Sequence, residues 1–318
     1  LERYSGKMEK AGYHWVDVPP DRQEAMAEEA VTETVEEAGY LLFQDARTAY
    51  TVQRITRILK KTIETITSQI ARSSFAPEGY EVSFSFEQDL KSVNFTLSEE
   101  EKMRLKGRID RMDVHRDGDR LYVKVVDYKS GNTQFQLLSL YHGLQLQLVV
   151  YMNAAVELMK KKYPDKEVLP VGMFYYHIDD PVIEAKGMPT EEEIREKIYE
   201  ELQLKGVGAD ESDGSVSKKS QKADQEELAV LSDFVNAKIH TIGQSIYRGD
   251  IQVNPYQLKD KSGCDYCPYR GICGFDGKVP GYGYRRLPEI KEKDEIIEKM
   301  REEISDGRDI HQGTAAGH

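Results

Sequence analysis

The sequence predicts an α/β fold, a mixed sheet flanked by helices. Three observations predict it. Long stretches carry apolar residues at three-four spacing, the period of an amphipathic helix. Shorter runs between them alternate apolar and polar residues, as a half-buried strand does. The stretch from Gly107 to Lys129 holds two such runs joined by Asp117-Gly118-Asp119, a polar turn that suits a hairpin.

The elements follow in chain order. Residues 1–74 read as largely helical. Arg22 to Ala38 is rich in Glu and Ala, and Asp45 to Ser73 carries an isoleucine stripe that includes Ile55, Ile58, Ile63, Ile66 and Ile70. This stripe is expected to pack on the sheet. The basic residues of that helix, Arg54, Arg57, Lys60 and Lys61, read first as a solvated face. Glu81 to Glu87 alternates and reads as a strand, with Ser92 to Leu97 as its partner. After the hairpin, Ser139 to Lys162 reads as one helix and Val168 to Ile178 as a buried strand. Thr190 and Glu193 form a capping signal that opens a helix reaching Leu204. Lys205 to Ala223 has no apolar period and reads as a flexible loop. Gln225 to Tyr247 is amphipathic again. Residues 251–284 are rich in Gly, Pro, Tyr and Cys, so something other than an apolar core must organise them. The tail from Leu287 reads as helical to about Ser305 and then as disordered. One domain over residues 1–284, with a charged tail over 285–318, is the expected organisation.

Composition narrows the function classes. The 318-residue chain has a formal net charge of -12, which excludes a general nucleic-acid coat and requires any DNA contact to be local. Lys102, Arg104, Lys106, Arg108 and Arg111 supply one such basic patch. Its plain alternative is an edge strand that uses charge against aggregation. Three cysteines near one end do not suggest a secreted disulfide framework. With no apolar run long enough to span a membrane and no signal peptide, a cytoplasmic location is expected. The chain begins at Leu1 without Met, as a piece of a longer protein would.

The chemistry concentrates in the hairpin. Alternation puts Leu121, Val123, Val125, Asp127 and Lys129 on one face, so an apolar stripe ends in a carboxylate and an ammonium. Desolvating such charges is costly, and a divalent metal shared by Asp127 and Asp110 would offset the cost. Asp, then Asp-x-Lys, is the arrangement expected for metal-dependent phosphodiester hydrolysis, in which the lysine aids the attacking water and stabilises phosphate charge. The plain alternative is a solvated surface hairpin. Gln147 and Tyr151 lie four apart on the next helix and share a face, where they could brace the site or touch DNA. Cys264, Cys267 and Cys273 have metal-ligand spacing, one ligand short. His240 could complete a zinc site.

Together these pieces resemble the RecB-type nucleases of the PD-(D/E)xK superfamily, and within them the AddB subunits of AddAB helicase–nucleases. The resemblance rests on GRID at Gly107–Asp110, DYKSG at Asp127–Gly131, GLQLQLxxY at Gly143–Tyr151, IYRGDIxVNP at Ile246–Pro255 and CDYCPYRGICGFD at Cys264–Asp276. CRISPR-associated RecB-like nucleases resemble it second. The resemblance implies Asp110, Asp127 and the Tyr128 carbonyl as ligands to Mg2+ or Mn2+, with Lys129 as catalytic lysine and Gln147 and Tyr151 in support. It gives Glu81 a less defined role, while Lys106, Arg108 and Arg111 of the basic patch are the candidate DNA contacts. Cys264, Cys267 and Cys273 match three of four ligands to a [4Fe-4S] cluster. The family's fourth cysteine lies upstream of this chain, as does a histidine that precedes an L-E-R-[FY] motif like Leu1–Tyr4, so the cluster is expected to be incomplete here. The implied function is DNA break processing beside an AddA-type subunit, cutting the 5′-ended strand. No Walker loop is present, so ATP hydrolysis is not expected of this chain. A non-cleaving DNA-end clamp and a zinc-stabilised interaction module are the readings from other classes.

Overall fold

The computed structural model describes residues 1–39, 46–85, 90–98, 100–131, 133–179, 181, 187–209 and 213–314. In chain order the elements are α1 (Glu2–Lys10), α2 (Pro20–Glu37), α3 (Ala46–Ala71), β1 (Ala76–Phe84), β2 (Asn94–Thr96), β3 (Lys102–Arg104), β4 (Gly107–Asp117) and β5 (Arg120–Lys129). Then come α4 (Leu137–Tyr141), α5 (Gln147–Lys162), β6 (Glu167–His177), α6 (Glu191–Glu201), β7 (Lys205–Gly208), β8 (Gln221–Lys222) and α7 (Gln225–Tyr247). The chain closes with β9 (Tyr256–Leu258), β10 (Lys261–Ser262), α8 (Arg270–Cys273), β11 (Arg285–Arg286) and α9 (Lys293–Thr314). Among the described residues no helix is long and apolar enough to cross a membrane.

The chain divides into two compact units. The first comprises residues 1–90, 106–135 and 151–228; the second comprises 91–105, 136–150 and 229–318. In this division β2, β3, α4 and the start of α5 group with the C-terminal third.

The first unit is built on a mixed sheet in the order β1-β4-β5-β6-β7-β8. β4 and β5 form the expected hairpin, with Gly118 at φ 53, a left-handed angle that glycine adopts at no steric cost. β5 and β6 run parallel, and α5 begins the crossover's long helical return between them. The α3 stripe is buried only in its second half. Ile63 and Ile66 are fully buried in a cluster with Tyr4, Met8, Trp15, Met26, Ala27 and Ala30, packed with Tyr80 and Tyr128 from the sheet. Ile55 and Tyr50 stay exposed. Each fully buried isoleucine contributes about 1.5–3 kcal/mol.

Several expected elements are corrected. Residues 94–96 pair with β3 and not with the strand over Glu81 to Glu87, whose last two residues lie outside those described. β1 takes β4 as its partner instead. The single helix expected over Ser139 to Lys162 is two, separated at Gly143, whose φ of 77 breaks helical geometry. Lys205 to Ala223 is not a free loop. Lys205–Gly208 pairs with β6, Leu204 bridges to Val216, and the Asp213 and Ser215 side chains are buried. Its anchors are polar, so no apolar period announces them.

The second unit buries Leu137, Leu140, Phe234, Val235, Ile296, Ile297 and Met300. The Tyr141 and Phe234 rings stack at 5.7 Å. α9 runs beyond Ser305 to Thr314, so the expected end of the helix is too early. The cysteine segment is ordered by small contacts. Ser262 Oγ donates to Asp265 Oδ1 at 2.7 Å, and Phe275 packs edge-on against Tyr284 at 4.9 Å.

Candidate active site

The site begins where the β4–β5 ladder stops. Backbone pairing of the two strands runs from Asp117↔Arg120 to Arg111↔Val126. One step further, the Tyr128 N–H donates to Asp110 Oδ2 at 2.7 Å, so a side chain takes over from the sheet. The strands fork there, and Asp110 and Asp127 are left beside the opening. Gly107 permits the approach of β1, since a Cβ at this position would lie 2.5 Å from the Phe84 ring.

Alternation along β5 divides its residues between two faces. Val126 and Tyr128 join the core with Phe174, Tyr176, Leu202 and Leu204. Asp127 and Lys129 take the opposite face, where Lys129 Nζ lies 2.6 Å from Asp127 Oδ2. Asp127 is 2 % exposed. Its carboxyl is pushed up from the usual range by burial and by Asp110, more than the Lys129 ammonium holds it down. Glu81 carries a third carboxylate into the area. It sits at φ 50, an angle costly for a non-glycine residue, and Arg108 Nε reaches its Oε2 at 2.6 Å. Burial again pushes the acid up, with Asp110 adding to it against Arg108.

Carboxylates crowded together at a partly buried site are a donor set a hard divalent cation neutralises. Asp110, Asp127 and the carbonyl of Tyr128 fit Mg2+ or Mn2+ in donor chemistry. Among the described residues no three His, Cys, Asp or Glu side chains gather as a metal-holding group, so the Tyr128 carbonyl and water would complete such a site.

The other expected positions sort themselves by environment. Arg111 is not a surface cation: it is 1 % exposed, with Nε 2.9 Å from Asp113 Oδ1 and both terminal nitrogens donating to Gln69 Oε1. Strand alternation turns it away from Asp110 and into the core. Arg108, at the start of β4, and Lys106, just before it, are both exposed. Lys102 and Arg104 belong to β3, and Leu105 N–H bonds to the Val93 carbonyl, so no continuous basic face runs from 104 to 110. The Tyr151 ring stands edge-on to Phe84 at 5.9 Å. Gln147 opens α5 one turn earlier on the same helical face.

Cys264 and Cys267 are half-buried, Cys273 is exposed, and all three are free. His240 is not grouped with them among the described residues, and its Nε2 lies 3.0 Å from the Thr96 carbonyl. Among the described residues these thiols do not gather with a further donor as a metal-holding group, which does not fit a [4Fe-4S] cluster or a closed zinc site.

The sheet adds neighbours the sequence did not single out. Register places Tyr175 and His177 of β6 beside Asp127 and Lys129, and Lys205 of β7 beside Tyr175. The Lys129 ammonium lies 5.4 Å over the Tyr175 ring. Burial, with Asp127 adding, pushes the Tyr175 phenol up to about 12. No linear pattern reports such neighbours, since they depend on strand order.

Comparisons with known proteins agree with this geometry. Residues 1–274 match the family model described as the PD-(D/E)XK nuclease superfamily. The chain is similar to proteins named as the B-type subunit of an ATP-dependent helicase/deoxyribonuclease. The one from Lachnoclostridium phytofermentans is 36% identical over 95% of this chain and 28% of its own length. Those from Clostridium tetani and Alkaliphilus oremlandii are 32% and 31% identical, over 96% and 95% of this chain and again 28% of their own lengths. The chain thus spans little more than a quarter of these relatives. With the fork of Asp110 and Asp127, Lys129 beside them, and a family match that begins at Leu1 and covers both strands, the chain belongs to the PD-(D/E)XK nuclease superfamily.

Proposed function

We propose that the chain is a metal-dependent deoxyribonuclease domain, the nuclease portion of an AddB-type subunit that processes double-strand DNA breaks. The observation that carries this reading is the meeting of Asp110, Asp127 and Lys129 at the fork of β4 and β5. Asp110 and Asp127, with the Tyr128 carbonyl, would hold the cation. When bound, Mg2+ or Mn2+ supplies Lewis-acid stabilisation of the charge that develops on the phosphate. Lys129 donates a hydrogen bond to the attacking water or to a phosphate oxygen, and its charge is positioned by Asp127. Water attacks phosphorus, the bond to the bridging oxygen breaks, and a proton passes to the leaving oxygen. Tyr151 supports the site from α5, and Gln147 lies one turn earlier on the same helical face. Lys106 and Arg108 meet the DNA backbone, with Arg108 passing from Glu81 to phosphate. The partner is an AddA-type helicase–nuclease subunit, and the strand cut is the 5′-ended one. The [4Fe-4S] cluster has no role in these steps.

The test is cleavage of end-labelled single-stranded DNA with Mg2+ or Mn2+, comparing the chain with Asp127→Ala. Metal-dependent cutting that Asp127→Ala abolishes supports the reading. Binding of DNA by both forms, with cutting by neither, overturns it in favour of a clamp.

A further inference from the structure

Beside Lys129 the sheet opens into a cleft of about 440 Å³. Its walls come from the DYKSG turn, the end of β6, and the junction of α6 with β7, all in the first unit. We propose, on the basis of the nuclease reading above, that this cleft seats the nucleotide adjoining the scissile phosphate, with Lys205 binding that nucleotide's own phosphate.

Register carries the first part of this inference. Asp127 is paired with Tyr175, and Tyr175 with Lys205, so the three form a row across one face of the sheet. Lys129 and His177 form the next row on the same face. Strands lie about 4.8 Å apart, so the row from Asp127 to Lys205 covers roughly 10 Å. Lys205 therefore does not address the phosphate held at Asp127, but a neighbouring one along the strand. Its ammonium donates to the Glu201 carbonyl at 3.0 Å and lies 3.8 Å from the exposed Glu201 carboxylate, which holds the charge at the cleft, and an ammonium has three N–H donors to share.

The lining carries the second part. The volume lies in the range of small-molecule sites. Ile178 and Pro181 offer an apolar wall to a base, while Gln134, Asp179 and Glu201 offer acceptors to base or sugar donors. Lys129 and Lys205 supply cations and Gln134 and Asp179 acceptors, which matches a nucleotide, anionic at its phosphate and donor-bearing at its base. His177 Nε2 donates to the Thr133 carbonyl at 2.7 Å, which ties the turn after Lys129 to β6.

The proposal is tested by binding in the absence of turnover. A fluorescent single-stranded oligonucleotide is titrated in Ca2+ with the Asp127→Ala chain, and the slope of log Kd against log salt is measured. Losing one phosphate contact lowers that slope by about 0.7. Lys205→Ala is expected to lower it so and to weaken binding, Lys205→Arg to restore both, and Lys219→Ala, an exposed lysine of the same unit, to leave both unchanged. Deoxyadenosine monophosphate is expected to compete with the oligonucleotide on the parent chain and to compete less well after Lys205→Ala. Equal slopes for the parent and Lys205→Ala, or equal losses for Lys205→Ala and Lys219→Ala, overturn the subsite while leaving the nuclease reading intact. Failure of the unsubstituted chain to cut or bind DNA at all removes the nuclease reading and the subsite with it.

Discussion

Lys124→Met should destabilise the first unit far more than an ordinary lysine substitution. Lys124 and Asp213 are side chains with 2% exposure each, and Nζ lies 2.5 Å from Asp213 Oδ2. Ser215 completes the arrangement, accepting from Lys124 at 3.0 Å and donating to Asp213 Oδ1 at 2.6 Å. Removing one partner of a buried pair leaves an uncompensated charge and costs about 3–5 kcal/mol. The Ser215 bonds to Asp213 persist, which puts the loss near the lower end. For a unit of this size that lowers Tm by roughly 6–20 °C. Trp15, the only tryptophan, is buried in this unit, so urea unfolding followed by its fluorescence reads the change directly. The double variant Lys124→Met with Asp213→Asn removes both charges and keeps an acceptor for Ser215, so it should recover most of the loss. Burial pushes the Asp213 carboxyl up, but Lys124 and Ser215 hold it below the usual carboxylate range overall. A depressed carboxyl stabilises the fold above its unfolded pKa, near 4, and that stability is lost as pH falls through the folded value. The parent should therefore lose stability on the acid side where the double variant does not. Additive losses in the two single substitutions, within about 0.5 kcal/mol, would refute the pairing.

Other outcomes follow from single contacts. Gly107→Ala places a Cβ against the Phe84 ring and should cost about 1–3 kcal/mol in urea unfolding, with Phe84→Leu in the same chain returning most of it. Glu78 is opposed by burial but accepts from Lys162 at 2.6 Å, Tyr163 at 2.7 Å and Arg116 at 2.6 Å, which hold its carboxyl low. Its contribution is present above the unfolded pKa and fades as pH falls through the folded one, so Glu78→Gln should flatten the acid limb of the stability–pH profile. Cys273→Ser, at an exposed free thiol, should change stability by less than about 0.5 kcal/mol.

The candidate site was legible because its residues lie close together in sequence. Asp110 and Asp127 sit on either side of one tight turn, and Asp-x-Lys needs only strand alternation to share a face. Helices with clear caps or long stripes were equally readable, as Thr190–Glu193 and Gln225–Tyr247 illustrate. What could not be read depends on partners distant in sequence. Arg111 looked like a DNA contact until Asp113 and Gln69 were found around it. The polar stretch over 205–223 looked unstructured because its anchors, Asp213 and Ser215, meet a lysine on β5 that alternation alone marks as an ordinary strand residue. Lys205 and His177 join the site face only through the order β5-β6-β7.

The interleaving of the two units constrains how the chain can be made and cut. The polypeptide passes from one unit to the other near residues 90, 105, 135, 150 and 228, so neither unit is a contiguous gene fragment. β4, which bears Asp110, is threaded directly from the small β2–β3 hairpin of the second unit. A boundary drawn anywhere between 91 and 150 would remove structure from both. The second unit cannot finish folding until residues beyond 229 have been synthesised, which leaves its early segments waiting on late ones. Trimming the C-terminal helix should therefore be felt in the solubility of the whole chain during expression, a behaviour that sets it apart from a dispensable tail.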